Sequence, residues 1–191
     1  MQPREFLKAQ TRVAHERVDL AFSRFDLSHP IGYRLFLETH HAVLPTCELA
    51  LARSSAATLL PDWPRRVRTH ALEHDLKVLQ GDQADDTLSA EPLSPAAAFG
   101  MMYVLEGSRI GGAVLASRLP ANSDAIRLGA TQYLRHGQGL GLWASFLAAF
   151  SASPFLHNEI DAVLASALRT FALFESAAES VSVTQPRFES T

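Results

Sequence analysis

A chain of 191 residues, 47% hydrophobic and 19% charged, has the size and composition of one globular domain with a sizeable core. The net charge of −3 gives no general attraction for nucleic acid, and no apolar run reaches the roughly 20 residues that a membrane-spanning helix needs, so neither partner is expected. Cys47 is the only cysteine, which excludes an internal disulfide and any multi-thiolate zinc site, and an N-terminus without the apolar core of a signal peptide points to the cytoplasm.

Residues 4–23 set Leu7, Thr11, Ala14, Val18, Ala21 and Phe22 at spacings of three and four, which predicts an amphipathic first helix. Ser28 and Pro30 open a second through Tyr33, Phe36, Leu37 and Leu44, with a kink at Pro45 and an end near Arg53. A third is predicted over Arg66 to Leu79, followed by an exposed loop from Gly81 to Glu91. Ser94 before Pro95 starts a long helix that Pro120 stops. A short element follows Asn122, and amphipathic helices over Leu142–Phe150 and onward from Pro154 complete the pattern. No stretch alternates like a strand. Residues 1–180 therefore read as one all-α domain, a bundle of about six or seven helices, and 181–191 as a polar, disordered tail.

The helix from Pro95 is unusual because Gly107, Gly111 and Gly112 lie in its middle. Each glycine costs about 1 kcal/mol against alanine in a helix interior, so the three together need a compensating reason. One reason is close packing against another helix. The other is a large flat ligand lying against bare main chain, with the helix kinked where side chains are missing.

Several histidines could carry chemistry. His15 lies beside the apolar stripe of the first helix with Asp19 one turn along the same side, an arrangement in which one imidazole nitrogen ligates a metal while a carboxylate orients the other. Alternatively the pair is an ordinary exposed hydrogen bond. His70-Ala-Leu-Glu-His74 matches a zinc-peptidase spacing but lies in a charged stretch between Arg65 and Lys77, read as a solvated helix face. His40 and His41 diverge by about 100° and share no site. Gly137, Gly139 and Gly141 follow no strand, so they are not a dinucleotide fingerprint.

Leu7-Lys-Ala-Gln-Thr-Arg-Val-Ala-His15-Glu-Arg-Val-Asp19, then Tyr103-Val-Leu-Glu-Gly-Ser-Arg-Ile-Gly-Gly112, then Phe171-Ala-Leu-Phe-Glu175 stand in an order and separation that resembles the haem oxygenase family, particularly bacterial biliverdin-forming members that accompany phytochromes. The resemblance implies a haem-oxygenase-like bundle with a kinked distal helix, in which haem is both substrate and cofactor. It implies His15 as the axial ligand of the haem iron, Asp19 as its acidic partner and Lys8 as a propionate cation. It puts Gly107, Ser108, Gly111 and Gly112 over the oxygen-binding face and matches Met102, Tyr103 and Phe174 to haem-contacting positions. The family's later propionate cations fall near Leu140 and Ala144, which carry no charge, so Lys8 is expected to act with Arg12, Arg135 or Ser145. The implied products are biliverdin, carbon monoxide and ferrous iron, with electrons from an external ferredoxin or reductase and a bacterial phytochrome as a possible recipient of biliverdin. Two rivals stay open: a non-catalytic haem-sequestering protein, and a histidine phosphotransfer bundle with His15 as acceptor.

Overall fold

The computed structural model describes residues 3–83, 90–153 and 156–181; the expected tail from 182 and part of the expected 81–91 loop lie outside them. All regular secondary structure among the described residues is helical, with no strand. Helix α1, Pro3–Phe22, buries Leu7 and Thr11. In α2, Pro30–His41, the His29 ring accepts the Ile31 N–H and so replaces a serine cap. The kink expected at Pro45 is a full break: α2 ends at His41 and α3, Leu44–Ala52, begins with proline in its first turn, where a missing N–H costs nothing. A short α4, Ala56–Leu59, and a 3-10 turn, Trp63–Arg65, lead to α5, Thr69–Val78.

The long glycine-bearing helix is α6, Pro95–Arg118, and the Ser94 hydroxyl accepts the Ala97 N–H as its cap. It runs without interruption across Gly107, Gly111 and Gly112. Two four-residue turns follow, α7 (Asp124–Arg127) and α8 (Gln132–Arg135), where one short element was expected. Gly137, Gly139 and Gly141 all take left-handed φ values, which makes the segment before α9, Leu142–Ser151, a chain of tight turns. The last helix, α10, spans Leu156–Ser180, with non-helical φ and ψ at Glu159. The described residues hold seven helices of nine residues or more, within the six or seven that periodicity predicts.

Helix α10 is the mast of the bundle, packed along both α6 and α1. At Gly100 the backbones of α6 and α10 touch: a Cβ there would collide with the Val163 carbonyl oxygen. Beside that contact the Ser166 hydroxyl donates to the Ala97 carbonyl at 2.6 Å. One turn on, Val104 packs on Ala167 and Phe171, flanked by Ala14, Val18 and Tyr103. Cys47 is sealed in the core at 2% exposure, and burial pushes its thiol up to about 12.

His40 belongs to an aromatic cluster at the junction of α1, α2, α8 and α10. Its ring centroid lies 4.6 Å from Phe22, 4.3 Å from Phe36, 5.3 Å from Tyr133 and 5.7 Å from Phe174. Nδ1 stands 2.8 Å from the Phe36 carbonyl and so carries the proton. Desolvation holds the imidazole pKa down, to about 3. A folded pKa below the unfolded value means that the unfolded chain takes up the proton first. Stability is then full above about 6.5 and lost as pH falls toward 3, by up to about 1.4 kcal/mol per unit. His40→Leu should flatten this slope, so that urea unfolding at pH 7 and pH 5 shows a loss smaller by about 2 kcal/mol than in the parent. An unchanged slope would refute the assignment.

Candidate functional site

His15 lies on the outer side of α1, with its side chain 61% exposed. Nδ1 is 3.0 Å from Asp19 Oδ2, so the carboxylate accepts the Nδ1–H and leaves the Nε2 lone pair available. The ring meets Phe171 of α10 edge-on at 5.8 Å. Phe171 in turn packs on Val104 of α6, whose next positions along the same stripe are Gly107 and Gly111. A line of contacts thus leads from the imidazole through buried Phe171 and Val104 to the stripe of α6 that carries Gly107 and Gly111.

The three glycines have different surroundings. Gly112 lies against α8, where a Cβ would sit 3.2 Å from the Leu134 carbonyl oxygen, so close packing accounts for it. At Gly107 a Cβ would touch only the Trp143 indole of α9 at 3.7 Å, an ordinary contact. At Gly111 nothing lies within 4 Å. Around this bare stretch Ser108 is exposed, as are Ile110 at 53% and Val114 at 42%. Helix packing therefore explains Gly112 and leaves Gly107 and Gly111 without a reason inside the described chain.

Behind the bare face lies a polar cluster, and two of its members, Arg66 and Arg68, come from the charged stretch expected to be a solvated helix face. Arg66 is buried: its Nη1 donates to Glu106 Oε2 at 2.6 Å and to the Leu142 carbonyl, its Nη2 donates to Ser145 Oγ at 2.6 Å, and Asp62 accepts both Nε and Nη2 at 2.8 Å. Glu106 is buried too, and its second oxygen accepts from Arg109 Nε and Nη2 at 3.0 and 2.8 Å. Arg109 also donates to His136 Nδ1 at 3.0 Å. Burial, then the Arg109 charge, lower the His136 pKa to about 4 and keep the ring neutral. Glu48 caps α5 by accepting from the Arg68 and Thr69 amides and the Thr69 hydroxyl. From that anchored main chain the Arg68 side chain crosses to α6, where Nη2 donates to the Leu105 carbonyl at 3.0 Å and to Ser108 Oγ at 2.6 Å.

Other expected site residues are not brought together. Met102 is fully buried, two and a half turns from Gly111 and so on the opposite side of α6. Phe174 is buried against His40, and Phe171, three residues earlier, is the ring beside His15. Tyr103 is half-buried between α1 and Trp143, 5.7 Å from the indole centroid, and burial raises its pKa. Lys8 and Arg4 line a hollow of about 390 Å³ with Pro3, Glu5 and Ser151, two turns along α1 from His15. Arg12 pairs with Glu16 at 2.7 Å and Ser145 is held by Arg66, so neither is poised for a carboxylate ligand. His70 lies beside His136 and His74 beside Asp75. No group of three or more His, Cys, Asp or Glu among the described residues could hold a metal ion, so the zinc spacing has no third ligand. A haem iron needs only one protein ligand, which the free Nε2 of His15 can provide. Among the same residues no helix is long and apolar enough to cross a membrane.

No family model matches the chain. Over 87 residues it is 38% identical to a protein named heme oxygenase from Xanthomonas campestris pv. campestris (strain 8004), a match that covers 46% of this chain and 52% of that protein. The chain thus spans about half the length of the curated relative it matches.

Two variants check this geometry without any ligand. Gly111→Ala fills open space and removes the helix penalty of glycine, so the urea midpoint should rise by the equivalent of about 0.5–1 kcal/mol. A loss of stability there would show that the position is needed for packing. Glu106→Ala leaves two buried guanidinium groups without their shared counter-charge and should cost about 3–5 kcal/mol in the same assay; a change below 1 kcal/mol would refute the cluster.

Proposed function

We propose that the chain is a haem oxygenase, which cleaves haem with O2 and external electrons to biliverdin, carbon monoxide and ferrous iron. The observation that carries this reading is Gly111: a helix-interior glycine with nothing near it, on a face joined through Phe171 to an exposed imidazole whose second nitrogen is already held by a carboxylate. Two unexplained glycines forgo about 2 kcal/mol of helix stability, and a flat ligand that must approach bare main chain supplies the missing reason. The half-length likeness to a protein named heme oxygenase points the same way.

The donor set fits haem. His15 would hold the iron through Nε2, with Asp19 fixing the tautomer and ring orientation through Nδ1–H. Gly107 and Gly111 offer no side chain that would crowd a ligand on the open face of α6, Gly112 being taken up by packing against α8, and the Ser108 hydroxyl is the polar group next to them in sequence. Tyr103 and Phe171 would provide aromatic floor, and Lys8, which makes no ion pair among the described residues, a cation two turns away for a propionate, with Arg12 able to assist only if Glu16 releases it. Haem in this position supplies the iron that activates oxygen and the porphyrin that is oxidised. No nicotinamide or flavin fingerprint is present, so a ferredoxin or a reductase would supply the electrons and a bacterial phytochrome could take the biliverdin.

A haem-sequestering protein would use the same residues, and one experiment separates the two. Purified chain mixed with hemin and ascorbate in air should lose the strong near-ultraviolet haem band and yield green product, whereas a sequestering protein would keep the band. A chain that ignores hemin but takes label from a phosphorylated response regulator would support the phosphotransfer reading. His15→Ala should weaken hemin binding and cut turnover at least about 100-fold, with partial rescue by added imidazole. Full turnover in the variant without imidazole would remove His15 from the site.

A further inference from the structure

A buried charge is ordinarily matched by an opposite one, because its removal from water is otherwise uncompensated. Arg66 and Arg109 follow the rule by sharing Glu106. Arg68 does not. It is 4% exposed, makes no ion pair among the described residues, and donates only to neutral acceptors, the Leu105 carbonyl and Ser108 Oγ. Its guanidinium carbon stands 5.1 Å above the centre of the Tyr133 ring, and its buried Nε has no partner. Glu48, the carboxylate bonded to its amide, is engaged in capping α5. A guanidinium with no direct ion-pair partner among the described residues is therefore held one side chain behind the exposed glycine face, with the Glu48 carboxylate bonded to the main chain of the same residue.

The Ser108 hydroxyl is fixed from both sides. Its oxygen accepts from Arg68 at 2.6 Å and its proton is donated to the Leu105 carbonyl at 2.8 Å. A hydroxyl so committed can offer the open face an acceptor and no proton.

We propose that Arg68 is the positioning residue of the distal face: its guanidinium, without an ion-pair partner among the described residues, sets a positive potential behind Ser108 that favours an anionic ligand over the glycines. This rests on the haem oxygenase reading. It places negative charge that develops over the glycines opposite a preorganised cation.

The test uses the full chain reconstituted with hemin, comparing the parent with Arg68→Gln, Arg68→Lys and Ser108→Ala. A visible-spectrum pH titration reports the ionisation of the water on the ferric iron, and azide and imidazole serve as anionic and neutral probes. Arg68→Gln should raise the ionisation midpoint by about one pH unit or more and weaken azide about tenfold, while imidazole changes by less than about twofold. Arg68→Lys, which keeps the charge, and Ser108→Ala, which leaves it in place, should both stay within about 0.3 unit of the parent. A midpoint unmoved in Arg68→Gln overturns the proposal, as does an equal shift in Arg68→Lys. Should Arg68→Gln fail to fold, Arg68→Met, which also removes the charge at similar length, takes its place with the same two outcomes, and a full-unit shift in Ser108→Ala overturns the proposal by assigning the effect to the hydroxyl. A parent chain that binds no hemin removes the underlying reading as well, whereas a hemin-binding chain with an inert Arg68 loses only this assignment.

Discussion

The contact on which the bundle turns is the touch of two backbones at Gly100. With no side chain there, α10 comes down on α6 until the Val163 carbonyl fills the space a Cβ would need. From that point the helices part along one stripe of α6: Val104 still meets Ala167 and Phe171, and by Gly111 there is no neighbour. A bare helical face in an otherwise close-packed protein is thus a consequence of where the crossing lies. The glycine that makes the crossing and the glycine that stays open do opposite work on one line.

A face left bare on its outer side needs rigidity on its inner side. Three arginines and two glutamates supply it by tying the turn before α5, the middle of α6 and the start of α9 together with charge-assisted hydrogen bonds. Asp75 adds a tie from α5 to α8 by accepting the Gln132 and Tyr133 amides. The polar cluster is costly to desolvate but directional. It fixes the orientation of Ser108 and the height of α9 over α6, which apolar packing alone would leave adjustable.

Much of this was legible in the sequence because it is local. Ser94-Pro95 reads as a helix start whatever surrounds it, and His15 with Asp19 meets across one turn by helical geometry alone. What was not legible depends on tertiary neighbours. Arg66 and Arg68 look like solvated surface in a charged stretch, and only the approach of α6 buries them. Phe171 and Phe174 have the same composition signal, and which one faces α1 is set by the rotation of α10. Gly100 hid among alanines because no nearby pattern marks it, although it bears the tightest constraint of the α6 glycines.

The enclosure of Cys47 has a practical side. With its acidity displaced to about 12, the thiol stays protonated at neutral pH, and core packing screens the sulfur from reagents. The natural sequence is therefore expected to react with maleimides and spin labels far more slowly than a chain with an exposed cysteine. Probes can be installed at chosen surface positions on α1 and α6, and the separation of those helices followed as ligand is added, with no prior editing of the chain.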